Sequence, residues 1–146
     1  MYLNRKTMLQ RMQTLWLILA AAIIVLTFKF SFFSGNKLAS DQSKAFVYLT
    51  ATTNMIILIL SVALASAVLV GIFLYKNRKL QLRLLLVTIL VSILNIFLYF
   101  RETNKFVEGN YDLTSIFVFV IPILLIMAAT GIYKDEKLVK SLDRLR

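Results

Sequence analysis

The chain has 146 residues, 60% of them hydrophobic and 16% charged, with a mean hydropathy of +0.80 and a formal net charge of +10. A soluble domain runs at about 45–50% apolar and about 25% charged residues, so this composition argues against a water-soluble domain and against disorder. Neither Cys nor His occurs, which removes disulfides, thiolate and imidazole metal ligands, thiol nucleophiles and the commonest general base.

In chain order, a basic head (Arg5, Lys6, Arg11) leads into an apolar stretch over residues 14–33 whose single charge is Lys29. The start is like that of a signal peptide. However, "FKFSFFSGNK" puts aromatic and basic residues where cleavage needs small ones, so a retained anchor is expected. Lys29 lies near the outer end and is expected to snorkel to the headgroups. Residues 34–51 form the longest connection. "SGNKLASDQS" reads as turn, with Ser40 or Asp41 placed to cap a helix that runs into the second span.

The second span covers residues 52–75 and is uncharged. Ala63, Ala67 and Gly71 recur on it every fourth residue, a stripe that admits a close neighbour inside the bundle or on another subunit. The connection "KNRKLQLR" is short enough to make an antiparallel hairpin with the third span, residues 84–100. "LLLVTILVSILNIFLYF" shows no polar–apolar alternation, so a helix that pairs its own backbone is expected here rather than a barrel strand. Asn54 and Asn95 are the most polar groups in the spans. They are expected to act as interhelical hydrogen-bonding glue, with the lining of a small pocket as the alternative.

Glu108-Gly109-Asn110 signals a turn before the fourth span, residues 113–133, with Asp112 expected as its N-cap. Pro122 has no N–H to give and should kink that span. The tail, residues 134–146, reads "KDEKLVKSLDRLR". Leu138, Leu142 and Leu145 share one face of an amphipathic helix, opposite Lys and Arg. It either extends the fourth span, lies on the inner leaflet or docks on a partner helix.

The positive charge is unevenly placed. The head, the second connection (Lys76, Arg78, Lys79, Arg83) and the tail (Lys134, Lys137, Lys140, Arg144, Arg146) meet only Asp135, Glu136 and Asp143. The other side is nearly balanced: Lys29, Lys37, Lys44, Arg101 and Lys105 face Asp41, Glu102, Glu108 and Asp112. Cytoplasmic loops are enriched in Lys and Arg, so both termini are expected in the cytoplasm. Topology accounts for the charge without nucleic acid, and the basic face suits anionic lipid heads. Trp16, Tyr75 and Tyr133 fall at the expected inner boundary; Phe28, Phe33, Tyr48, Tyr99, Phe100 and Tyr111 fall at the outer one.

The expected fold is thus an all-α membrane protein: a single four-helix transmembrane bundle, N-in and C-in, with an amphipathic cytoplasmic C-terminal helix. The segments "MLQRMQTLWLILAA", "YKNRKLQLRL" and "KDEKLVKSLDRLR" resemble those of an uncharacterised four-span membrane protein family, found mainly in Bacteroidota and known only as a domain of unknown function. The resemblance implies an inner-membrane location and four helices. It carries over no activity, ligand or catalytic residue.

No Asp or Glu lies inside a span, which weighs against proton-coupled transport, intramembrane aspartyl proteolysis and di-metal carboxylate chemistry. No phosphate-binding, nucleophile-elbow or metal-ligand motif occurs. Neither a catalytic residue nor a cofactor is expected. The leading functional expectation is a non-catalytic accessory or scaffold subunit of a larger membrane complex. Its helix–helix contacts would use Asn54, Ala63, Ala67, Gly71 and Asn95. Its lipid or partner contacts would use Arg78, Lys79, Arg83, Lys137, Lys140, Leu142 and Arg144. The alternative is a homo-oligomeric channel or small-solute transporter lined by Asn54, Thr88, Ser92 and Asn95; the last three step by four and three along one helix face.

Overall fold

The computed structural model describes residues 3–38 and 43–143, with side chains over residues 12–38 and 43–141. Helix α1 is Leu3–Thr27, α2 Met55–Phe73, α3 Arg78–Thr103 and α4 Ile116–Asp143. Three short strands join them at one end: β1 Phe33–Leu38, β2 Lys44–Leu49 and β3 Glu108–Tyr111. Each helix packs on its sequence neighbours, and α4 closes the ring on α1.

Three helical segments are long and apolar enough to cross a membrane: Met55–Lys76, Arg78–Thr103 and Leu113–Ser141. Met12–Thr27 is apolar but shorter. The expected third span sits within α3, which is longer at both ends, whereas the expected second span overruns α2 by three residues at its start and by two, in the following 3-10 turn, at its end. The connection before α3 is tighter than expected. A single 3-10 turn, Leu74–Lys76, and Asn77 separate α2 from α3, so Arg78, Lys79 and Arg83 belong to the first turns of a helix. The tail continues α4 without a break as far as Asp143, past buried Pro122.

The buried positions on all four helices step alternately by three and four: Leu17, Ala20, Ile24 and Thr27 on α1; Ile57, Ser61, Leu64, Val68 and Gly71 on α2. On α3 the run is Gln81, Leu85, Thr88, Ser92, Asn95, Tyr99 and Glu102, with Thr103 buried beside it; on α4 it is Val118, Ile121, Leu125, Ala128, Ile132 and Asp135, with Pro122, Leu124 and Ala129 buried beside it. A mean step of 3.5 keeps one seam of each helix against its neighbours along the whole length. The outward positions are large and apolar: Ile18, Val25, Ile59, Val62, Val87, Leu90, Phe97 and Ile123 are each more than half exposed. Polar groups inside and apolar groups outside is the reverse of a water-soluble bundle. It is the partition that lipid favours, where packing and interhelical hydrogen bonds rather than hydrophobic transfer hold helices together.

The all-α expectation fails at the sheet. β1 lies between β2 and β3, antiparallel to both, with Phe33 opposite Leu49 and Tyr111, and Gly35 opposite Val47 and Gly109. The stretch read as turn, "SGNK", is most of β1, and Glu108-Gly109-Asn110 is strand rather than turn. Gly35 and Gly109 make this pairing possible. A Cβ on Gly35 would fall 2.2 Å from the Glu108 carbonyl, and one on Gly109 would fall 2.5 Å from the Phe33 ring.

Two further expectations change here. α1 ends at Thr27, so Lys29 stands in an exposed turn beyond the helix rather than within a span. Strand β2 runs to Leu49, so no helix enters from Ser40 or Asp41; both residues lie outside the described residues. Helix α2 is capped by Asn54, whose side chain accepts from the Ile56 N–H at 2.9 Å.

Candidate interaction surfaces

The molecule has a sheet end and a turn end, with a polar seam between them. At the sheet end, Phe32 is buried against the Tyr99 ring, with centroids 4.7 Å apart, and also meets Phe100, Tyr111 and Phe119. Phe33 packs on Phe106 and Tyr111, each at 5.1 Å. The expected outer aromatic belt therefore divides. Phe33 and Tyr99 are buried beneath the sheet, while Tyr48 and Tyr111 remain more than half exposed.

Asp112 ties the two sides of this end together. Its carboxylate accepts from the hydroxyl of Ser31 and, at 2.7 Å, from that of Ser34. Its N–H donates to the Phe32 carbonyl at 3.2 Å. It stands at the N-cap position of the turn Leu113–Ser115, as the sequence suggests, but its side chain bonds across to the α1–β1 segment instead of capping.

The polar seam runs along α3. Thr88 and Ser92 donate to the Leu84 and Ile89 carbonyls of their own helix. The buried Tyr99 hydroxyl lies beside Thr27 of α1 and Ser61 of α2. Asn95 Nδ2 reaches the Ser61 hydroxyl at 3.4 Å, the outer limit of a hydrogen bond. Its Oδ1 is buried without a partner. Asn54 and Asn95 do not pair, since Asn54 is engaged at the start of α2. The sequence marks Tyr99 only as a ring of the outer belt, and does not mark Thr27 as part of the seam. Their signal was available, because each continues a three-and-four spacing that already contains a polar residue or a small one.

The small-residue stripe does not stay on one face. Gly71 is buried, Ala67 half-buried and Ala63 exposed. A Cβ at Gly71 would meet only the Leu85 and Leu84 side chains, at 3.8 and 3.9 Å, so no backbone lies close against it. The Gly71 carbonyl accepts from the buried Gln81 amide at 2.8 Å, which fastens the turn between α2 and α3.

The turn end gathers positive charge. A groove of about 540 Å³ opens between Lys76, Asn77, Arg78 and Lys79 on one wall and Glu136, Val139 and Lys140 of α4 on the other. Lys140 pairs with Glu136 at 3.0 Å. Arg78, Lys79 and Lys140, picked out separately in the sequence, come together here. Lys137 lines a neighbouring hollow with Lys134, Leu138 and Ser141. Arg83 is exposed farther along α3. The Leu142 side chain and Arg144 lie outside the described residues. Beside the groove, Gln13 donates to buried Asp135 at 2.8 Å and so links α1 to α4.

Long apolar helices with lipid-like outer faces and a polar inner seam define a helical membrane protein. The chain belongs to the family described as Domain of unknown function (DUF4293), whose family model matches residues 9–145. No curated protein and no solved structure matches the chain.

Proposed function

We propose that the chain is a non-catalytic accessory or scaffold subunit of a larger complex in the bacterial inner membrane. In this reading α1 spans together with the three longer helices, and both termini and the turn end lie in the cytoplasm. The sheet closes the opposite end. A basic turn end and a nearly charge-balanced sheet end support this orientation. A partner would contact the apolar outer faces and the turn end.

The observation that carries the reading is the packed interior. Leu17, Ala20, Ile24, Val68, Leu85, Leu125, Ala128 and Ile132 are all fully buried where the four helices meet. The seam of Thr88, Ser92 and Asn95 faces inward, within one protomer. A path shared between protomers needs that face outward, which weighs against the channel reading.

The test is extraction in a gentle detergent, pull-down and mass spectrometry. Recovery of a large unrelated membrane protein in stoichiometric amount is expected. Recovery of this chain alone as a ring, with Asn95 facing a central cavity, would overturn the proposal in favour of a channel.

A further inference from the structure

We propose that the groove at the turn end is a binding site for the headgroup of an anionic phospholipid. The inference rests on the cytoplasmic placement proposed above and names the partner of that surface.

Four cations line the groove against one carboxylate. Lys140 is already matched by Glu136 at 3.0 Å. Among the described residues no carboxylate pairs with Lys76, Arg78 or Lys79. Three like charges brought together at the end of a tight turn repel one another, and a phosphate between them relieves that repulsion. The wall that carries them is held in place before any ligand arrives. Gln81, one helical turn into α3, is bonded to the Gly71 carbonyl at the end of α2, so the turn cannot splay to separate its charges.

The surroundings select the kind of phosphate. Tyr75, Leu80 and Leu138 neighbour the cations along the chain and are each about half exposed. Val139 lies in the groove itself. Positive side chains beside Val139, at the end of helices whose outer faces (Val87, Leu90, Ile123, Ile126) are apolar and exposed, suit a ligand with a phosphate at one end and acyl chains at the other. A free phosphate or a nucleic acid would leave those outer faces in contact with water. The Lys stems can lie along the acyl region while their ammonium groups stay at headgroup level. The fork of Arg78 supplies two parallel donors to one phosphate.

The experiment titrates the full-length chain in detergent micelles by native mass spectrometry. Separate arms carry cardiolipin, phosphatidylglycerol, phosphatidylcholine and inorganic pyrophosphate. Both anionic lipids are expected to bind at least tenfold more tightly than phosphatidylcholine, with no adduct from pyrophosphate. Arg78→Glu/Lys79→Glu should weaken anionic lipid binding at least tenfold. Lys37→Glu/Arg101→Glu, the same change in charge at the sheet end, should leave it within about twofold. If the double reversal does not fold, Arg78→Gln/Lys79→Gln should still weaken binding about threefold.

Equal binding of phosphatidylcholine would overturn the proposal, as would equal losses in the two charge-reversal variants. A pyrophosphate affinity matching that of the lipids would show a free-phosphate site instead. Loss of a co-purifying protein from Arg78→Glu/Lys79→Glu, with lipid binding intact, would assign the groove to that protein. Lipid binding in detergent is read without a partner complex and without sidedness, so it fails or holds separately from the scaffold reading and the topology.

Discussion

Glycine shows how differently one residue type is used at two places in this chain. At Gly71 an added methyl group meets only flexible leucine side chains at ordinary contact distance. Gly71→Ala is therefore expected to be neutral or to stabilise α2 by up to about 1 kcal/mol, since glycine is a poor helix former. At Gly35 the same methyl collides with the backbone of β3, so Gly35→Ala should cost about 1–3 kcal/mol, as overpacking does. Thermal unfolding in detergent checks both; a loss of stability in Gly71→Ala would mean that Leu84 and Leu85 do not give way to the added methyl group. In the polar seam, Tyr99→Phe removes a buried hydroxyl that lies beside Thr27 and Ser61 and should cost up to about 2 kcal/mol. Asn95→Leu removes an acceptor that already has no partner, and should change stability by less than about 1 kcal/mol. A larger loss in Asn95→Leu than in Tyr99→Phe would contradict this account of the seam.

At the scale of elements, the helices were legible because lipid demands long apolar runs, and their number and order follow from the sequence pattern. Their ends were not. α1 stops at Thr27 without a glycine or proline, where the returning chain takes over: the Ala51 N–H donates to the Thr27 carbonyl, and the Phe32 N–H to that of Leu49. The sheet was hidden for a related reason. "SGNK" and "EGNY" have poor strand propensity: the first is held by β2 as well as by β3, and the second pairs only with β1, more than seventy residues away. Only "KAFVYL" carried a local strand signal, in its aromatic and branched residues. Asp112 is the clasp of this end. Asp112→Ala leaves the Ser31 and Ser34 hydroxyls without their acceptor and should cost about 1–3 kcal/mol. Amide exchange should then quicken in β3 before it quickens in the helices. Equal protection of β3 in the variant and the native chain would show that the aromatic cluster alone holds the sheet.

For the whole molecule, the proposed orientation makes the sheet end extracytoplasmic. A reporter fused after Arg146 should be active only in the cytoplasm, and a cysteine placed at Asn36 should react with an impermeant thiol reagent added from outside. The reverse pattern would invert the molecule and move the basic groove to the other leaflet.

Composition and charge placement determined the long apolar spans and the residues Arg78, Lys79 and Lys140 as a positive surface, while the head, connection and tail segments carried the resemblance to the family. Those properties are sums over local sequence, and lipid and charge respond to them wherever the helices happen to turn. Tertiary structure alone decided which face of each helix is inside. A span that is apolar all round gives hydrophobicity no direction, so the inner seam is marked only by its polar and small residues, once the neighbouring helices are in place. It also decided the pairing of β3 with β1 and the groove, because both are assembled from segments far apart in sequence that meet only when the four helices close into a ring.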